Sequence, residues 1–413
     1  MPRDDAEGGA GARRRHHAWE PVLLVKLDVD HPEGPDLREV PPGRRAWIEV
    51  VRTGQVIGLV EARGEEQGVP PEVVEAVRHV FGTTPVSPVD VVADAQLPSI
   101  TVVVPTVGRD IDLLNQAVEA ILESAYPTFE VIVVDNRAEA IPPLGLKSVD
   151  ERLRLTHEPR RGAAAARNRG AREALGQVVA FTDDDATVDG TWLRALGARF
   201  VLSPEVAAVG GLVLPKELDT QPQLWFEEFY GGLNRSFRAE VVDRATAARQ
   251  DRLSPYAPGR FGNGNNIAFR RRDFLDAGGF LDTLGPGTPT MGGEDLEVLF
   301  RLLDRGASLA IEPAAVVRHV NRRTRAEFVA QVLRYGVGLT AMYTAIVIGD
   351  PRHAPAILRR VPAGLRRLFR RRSHRSPSAT PTCPRRTYAY QVIGMAYGPV
   401  AYLMSAVRHR RGR

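Results

Sequence analysis

The chain has 413 residues, 43% hydrophobic, 25% charged and 7% aromatic, which excludes a disordered protein and allows one large core plus a smaller module. Its one cysteine, Cys383, excludes an internal disulfide framework and fits a reducing compartment. The net charge of +5 hides a division: residues 351–413 hold 15 arginines and no acid, so the other 350 residues carry −10.

In chain order, residues 1–18 read as a polar tail. No apolar run occurs between Met1 and Glu20, so no signal peptide is read and a cytoplasmic catalytic part is expected. Residues 19–97 are expected to form a small β-rich accessory module, with β-like runs at 21–28, 46–51 and 55–61. Thr53-Gly54 joins the last two as a hairpin turn, and Pro70 opens a short helix to about Phe81. Pro85, Pro88 and Pro98 then mark a linker.

From residue 98 to 320 strands and helices alternate. The continuous apolar run 100–104 suits a strand buried on both faces. Residues 110–124 carry helical spacing through Ile111, Leu114, Val118, Ile121 and Leu122. A strand at 130–134, a helix at 163–175, a strand at 177–182 and a helix at 189–200 follow. Repeated βαβ units predict an α/β, doubly wound mixed sheet, in which ligands sit beyond the carboxyl ends of the strands.

After a helical extension at 321–350, residues 351–387 read as a basic linker with Leu358, Leu365 and Leu368 at helical spacing among arginines. Residues 388–413 read as an amphipathic or membrane-associated helix. The uncharged run 387–407 approaches the ~20 residues needed to span a bilayer, yet Gln391, Gly394, Gly398, Pro399 and four tyrosines interrupt it. An interfacial, a spanning and a packed helix all remain open. The basic block points to an anionic membrane surface more than to nucleic acid, because no recognition module accompanies it.

Polar residues cluster where the strands end. Pro105-Thr106-Val107-Gly108-Arg109 follows the first, Asp135-Asn136 the second, and Asp183-Asp184-Asp185 the third. Singly these are turn formers or helix caps. Together they place adjacent carboxylates on one sheet edge, a repulsion that a divalent cation reverses. Asp183 and Asp185, two apart in an extended segment, point the same way.

The segments Val104-Pro105-Thr106, Val133-Val134-Asp135-Asn136, 162–170 (GAAAARNRG), 181–185 (FTDDD) and Gly293-Glu294-Asp295, in that order over about 99–320, resemble the family 2 glycosyltransferases of the GT-A fold. The resemblance implies inverting transfer of a sugar from a nucleotide diphosphate donor, first a UDP-sugar, to a hydroxyl of a glycan or lipid-linked envelope acceptor. It implies that Thr106, Arg109 and Asp135 hold base and ribose, with Arg167 and Asn168 near base or pyrophosphate. Asp183 would touch ribose or metal, Asp184 would line the donor site, and Asp185 would bind Mn²⁺ or Mg²⁺ with His319. Asp295 would be the catalytic base, with Glu294 a neighbour that orients it or substitutes for it. The segment 262–266 reads as a tight turn into a strand, with Asn265 or Asn266 lining the acceptor pocket as its alternative role.

Simpler readings stand beside these. Arg167 and Asn168 suit a solvated helix face, given arginines at 160, 161, 169 and 172. Trp225, Phe226, Phe229 and Tyr230 suit either a sugar-stacking wall or a buried helix. The Gly- and Pro-rich loop 285–293 has a lid's composition. A metal-dependent nucleotidyltransferase is disfavoured because 105–110 holds one glycine and one arginine; a non-catalytic glycan- or lipid-binding scaffold of the same fold would not require both acidic clusters. The sugar and the base (uracil, thymine or guanine) are not legible.

Overall fold

The computed structural model describes residues 19–31, 37–233, 235–370 and 382–411. The expected polar tail at 1–18 lies outside the described residues.

The amino-terminal module is a three-stranded sheet of β1 (Leu23–Asp28), β2 (Arg45–Arg52) and β3 (Gln55–Arg63). β1 runs parallel and β3 antiparallel to β2, and α1 (Pro71–Phe81) follows. Thr53 and Gly54 both take positive φ, 45° and 77°, which gives the tight turn the twist its strands require. The module is anchored on the larger central sheet through buried charge. Arg318 donates to both oxygens of Glu49, at 2.5 and 2.9 Å, and Ser87 Oγ donates to Glu312 at 2.7 Å.

The central sheet contains β4 (Ile100–Thr106), β5 (Phe129–Asp135), β6 (Leu153–His157), β7 (Val178–Phe181), β8 (Ala186–Val188), β9 (Val206–Pro215), β10 (Glu240–Val242), β11 (Ile267–Arg270) and β12 (Ser308–His319). Its order is β10-β12-β9-β11-β7-β4-β5-β6, with β8 on β12. β6, β5, β4 and β7 are parallel neighbours, as are β9 and β12, while β11 runs antiparallel between β7 and β9. From β4 the chain passes to β5 on one side and later to β7 on the other, which opens a crevice at their carboxyl ends.

Helices α2 (Ile111–Leu122), α3 (Ala163–Glu173) and α4 (Trp192–Leu202) cover this sheet. One face packs on a cluster around Trp192 and Leu196, the other on Phe181, Phe269, Phe274 and Phe280. The shorter α5 (Gln221–Tyr230), α6 (Arg244–Gln250) and α7 (Arg271–Asp276) precede α8 (Glu294–Asp304).

Among the described residues three α-helices follow the sheet: α9 (Arg325–Gly349), α10 (Ala354–Arg370) and α11 (Thr387–Arg411). Within the segment 351–387 expected as a basic linker, residues 354–370 form the helix α10, whose apolar residues recur on one face; residues 371–381 lie outside the described residues. α9 and α11 lie side by side in the same direction, and Thr340 Oγ1 donates to Met395 O at 2.7 Å. Backbone meets backbone at Gly336 and Gly394, where a Cβ would collide with Gln391 O and Leu333 O. Among the described residues α9, and not the 387–407 run, is the helix long and apolar enough to cross a membrane; 44% of its most apolar window is buried.

Candidate active site

The parallel strands deliver their last residues to one rim. Thr106 ends β4, Asp135 ends β5, and Asp183-Asp184-Asp185 turn out of β7. Thr106 Oγ1 donates to Asp184 Oδ2 at 2.5 Å and accepts from Gly108 N at 2.9 Å. Burial raises the Asp184 carboxyl to about 6; the Thr106 hydrogen bond opposes the rise and the neighbouring Asp185 and Asp183 add to it.

Asp135 is 2% exposed and gripped by Arg137, whose Nε and Nη2 donate to its two oxygens at 2.9 and 2.7 Å. Burial alone would raise this carboxyl, but the Arg137 hydrogen bonds and charge hold it below the usual range. Its oxygens are thus engaged by Arg137, a residue the sequence reading passed over although it follows Asp135-Asn136 directly. Arg109 lies exposed on the loop after β4.

Arg167 is not on a solvated face. At 3% exposure it donates from Nη2 to Asp183 Oδ1 at 2.7 Å and from Nη1 to Glu294 Oε1 at 2.8 Å. Asn168, expected near base or pyrophosphate, is tied to the 280–282 loop. Its Nδ2 donates to Phe280 O and Asp282 Oδ1, both at 2.8 Å, and its Oδ1 accepts from Phe280 N at 2.9 Å. The side chain fastens the 280–282 loop to α3, with both amide hydrogens used and one bond accepted at Oδ1.

Asp185 meets His319 because β8, which begins one residue later, pairs antiparallel with the end of β12, with Ala186 opposite His319. His319 Nε2 lies 3.4 Å from Asp185 Oδ1, and Arg322 Nη1 lies 3.5 Å from Asp185 Oδ2. Burial would raise Asp185, yet His319 first and then Arg322 hold it at about 2. Asp183 turns to Arg167 instead of joining the pair, and among the described residues no three His, Cys, Asp or Glu side chains converge to hold a metal. A carboxylate facing an imidazole nitrogen at this spacing fits a divalent cation with two protein ligands, leaving positions for phosphate oxygens and water.

On the opposite wall α8 starts with Glu294-Asp295. Gly293, at φ 94°, caps it, and a Cβ there would lie 2.5 Å from Gly338 O, so α9 presses on the start of α8. Burial and the adjacent Asp295 raise Glu294 to about 7 against the pull of Arg167. Asp295 is raised as well, by burial, although Arg167 opposes it. Asp295 Oδ2 accepts from Gly264 N at 3.1 Å and Oδ1 from Leu296 N at 2.8 Å.

Gly264 carries the chain into Asn265 and Asn266. Asn265 is buried with Oδ1 lacking any partner, so it retains an acceptor beside Asp295. Asn266, the other residue expected to line the acceptor pocket, is locked between strands. It is 0% exposed, its Oδ1 accepts from Trp192 Nε1, and its Nδ2 donates to Leu212 O and Ala315 O, all at 2.9 Å. Trp225, Phe226 and Phe229 of α5 are buried against Phe328 and Val332 of α9, so packing explains them.

Two family models match the chain: glycosyl transferase family 2 over residues 101–250, and glycosyl transferase family group 2 over 178–407. The chain belongs to the family 2 glycosyltransferases. Its central sheet is mixed, with helices on both faces, as the alternating strands and helices predict. It is 28% identical over 219 residues to a glucosyl-dolichyl phosphate glucuronosyltransferase of Haloferax volcanii, covering 52% of this chain and 66% of that one. A pre-mycofactocin glycosyltransferase of Mycobacterium tuberculosis is 31% identical over 183 residues, 44% of this chain and 35% of that one. The chain thus spans less than two thirds of the length of these relatives. A solved mannosyltransferase from Pyrobaculum calidifontis, in complex with GDP-Man and Mn²⁺, is similar at a TM-score of 0.44 and 21% identity, over 82% of this chain and 94% of that one.

Proposed function

We propose that the protein transfers a sugar from a nucleoside diphosphate donor to an acceptor hydroxyl in one inverting displacement, with a divalent cation at Asp185 and His319. The observation that carries this reading is Arg167, which joins a carboxylate of the acidic triplet to one of the carboxylates at the start of α8. The donor rim and the acceptor wall thereby face each other across one buried guanidinium.

In this reading Asp295 takes the proton of the acceptor hydroxyl. As the acceptor oxygen bonds to the anomeric carbon, the bond from that carbon to the diphosphate oxygen breaks, and its electron pair leaves with the diphosphate. A positioned carboxylate base contributes about 10²–10⁴-fold, and burial that lifts its pKa improves the match to neutral pH. The cation, when bound, neutralises charge on the leaving diphosphate. Thr106 and Asp184 form the floor of the donor site, Asp183 is held in place by Arg167, and Asn265 presents its free oxygen on the acceptor side.

The acceptor we propose is a lipid-linked or envelope glycan, used at the inner, cytoplasmic face of the cell membrane. The name of the Haloferax relative, with its dolichyl phosphate, supports a lipid-linked acceptor. So do Leu358, Val361 and Leu365 of α10, exposed at 68, 46 and 44%, and Ile393, Val400 and Leu403 of α11, exposed at 56, 50 and 53%. These apolar residues stand among the arginines of a segment without acids, the chemistry of an anionic membrane surface.

The test is a panel of nucleotide sugars, UDP-sugars first, assayed for Mn²⁺- or Mg²⁺-dependent release of nucleoside diphosphate by the wild type and by Asp185→Ala. Release from one donor, abolished by chelator and by Asp185→Ala, is expected and names base and sugar together. No release, with no metal-dependent nucleotide binding, would sink the proposal.

A further inference from the structure

His319 has a neighbour on each ring nitrogen. Nε2 faces Asp185 Oδ1 at 3.4 Å, and Nδ1 lies 3.3 Å from Asn321 Oδ1. The orientation of the Asn321 amide is decided from behind, because its Nδ2 donates to Glu227 Oε1 at 2.6 Å. The second oxygen of Glu227 accepts from Arg235 Nη2. A carboxylate held by a guanidinium only accepts, so Asn321 must turn its nitrogen to Glu227 and its oxygen to His319. That oxygen also only accepts, so Nδ1 of His319 carries a proton. In the neutral ring Nε2 then keeps its lone pair, aimed at a carboxylate oxygen. Two such groups repel unless a divalent cation or a second ring proton lies between them, and at Nε2 these two compete for the same place.

We infer that Glu227 and Asn321 are positioning residues that hold His319 in its Nδ1–H form and so present Nε2 to the divalent cation shared with Asp185. The inference rests on the cation reading given under the proposed function. All four groups are buried: Glu227, Arg235, Asn321 and His319 are 2, 3, 3 and 6% exposed, which leaves little room for water to replace Asn321 at Nδ1. Gln223 Nε2 holds the Asn321 carbonyl at 3.2 Å, and Gly232 lies so close to the Arg235 guanidinium that a Cβ there would collide with it. Arg235 also stands 5.9 Å from the Trp47 ring of β2, so the far end of the relay rests on the amino-terminal module. Partners that orient a metal-binding histidine in this way typically change metal affinity by about 10–100-fold when removed.

The experiment combines ring ¹⁵N and ¹³C NMR of His319 in the metal-free chain at alkaline pH, assigned against His319→Gln, with Mn²⁺ titration followed by EPR in the presence of nucleoside diphosphate. The wild type should show the Nδ1–H tautomer and bind Mn²⁺. Asn321→Ala should drift toward the Nε2–H tautomer and bind Mn²⁺ about 10–100-fold more weakly. A wild-type ring found as Nε2–H overturns the inference without any variant having to fold. If wild type and Asn321→Ala bind Mn²⁺ equally, this inference alone fails. If the wild type binds no Mn²⁺ at all, the cation reading fails and takes this one with it.

Discussion

Arg167 and Glu294, 127 residues apart in the chain, form a buried ion pair in which Nη1 donates to Oε1 at 2.8 Å. Removing one member of such a pair leaves a buried charge without its partner, which typically costs about 3–5 kcal/mol. Arg167→Met keeps the apolar stem but frees both Glu294 and Asp183. Urea denaturation should show a loss of that order, and kcat should fall at least about tenfold because two carboxylates lose their anchor. Unchanged stability would show that the pair holds nothing in place.

Asp295→Asn preserves the shape at the start of α8 and removes the proposed base. The expected result is a fall in kcat of about 10²–10⁴-fold with donor affinity changed by no more than a few fold. Steady-state release of nucleoside diphosphate, set beside donor binding by calorimetry, separates the two quantities. A matching loss of donor affinity would move Asp295 to the donor site.

Glu294 supplies a pH signature. Its carboxyl sits at about 7 in the folded chain against an ordinary 4.5, so the folded state keeps a proton that the unfolded state has released. Its contribution to stability is therefore complete below about 4.5 and is lost as pH rises through about 7. Urea midpoints of Glu294→Gln should decline less than those of the wild type between these two values. Parallel curves would contradict the raised carboxyl.

Asn266→Ala tests a structural role against acceptor contact. It leaves Trp192 Nε1, Leu212 O and Ala315 O without their partner. With about 1–3 kcal/mol for each buried group left unsatisfied, stability should fall by at least about 2 kcal/mol while the acceptor KM stays level. A raised KM at unchanged stability would restore the acceptor assignment.

The apolar face of α10 predicts binding to anionic vesicles. Leu358→Asp combined with Leu365→Asp, both at exposed positions, should abolish co-flotation with such vesicles and leave the fold and soluble donor turnover intact. Raised salt should weaken wild-type binding, since each basic residue near the surface contributes about 1 kcal/mol. Equal flotation of the double variant would move the contact elsewhere.

Strand ends and their chemistry were legible from residue order alone. Runs such as 100–104 and 130–134 are apolar enough to be buried on both faces, and a strand buried in a parallel sheet puts whatever follows it on the ligand-binding rim. Thr106, Asp135 and the acidic triplet could therefore be named from strand ends, whereas Glu294-Asp295, at the start of a helix, was named from the family resemblance.

Tertiary structure decided what each side chain does there. Arg167 and Asn168 are adjacent on one helix, yet one bridges two carboxylates and the other fastens a loop, because α8 and the 280–282 loop approach different sides of α3. Asn265 and Asn266, also adjacent, divide in the same way, one keeping a free oxygen and the other locked between strands. The meeting of His319 with Asp185 required the β8–β12 pairing, and the pairing of Asn321 with Glu227 required α5 to pack behind it. Local sequence sets which groups reach the rim through strand periodicity and burial. Which partner each group finds depends on hydrogen bonds between segments distant in the chain, and no local pattern encodes those.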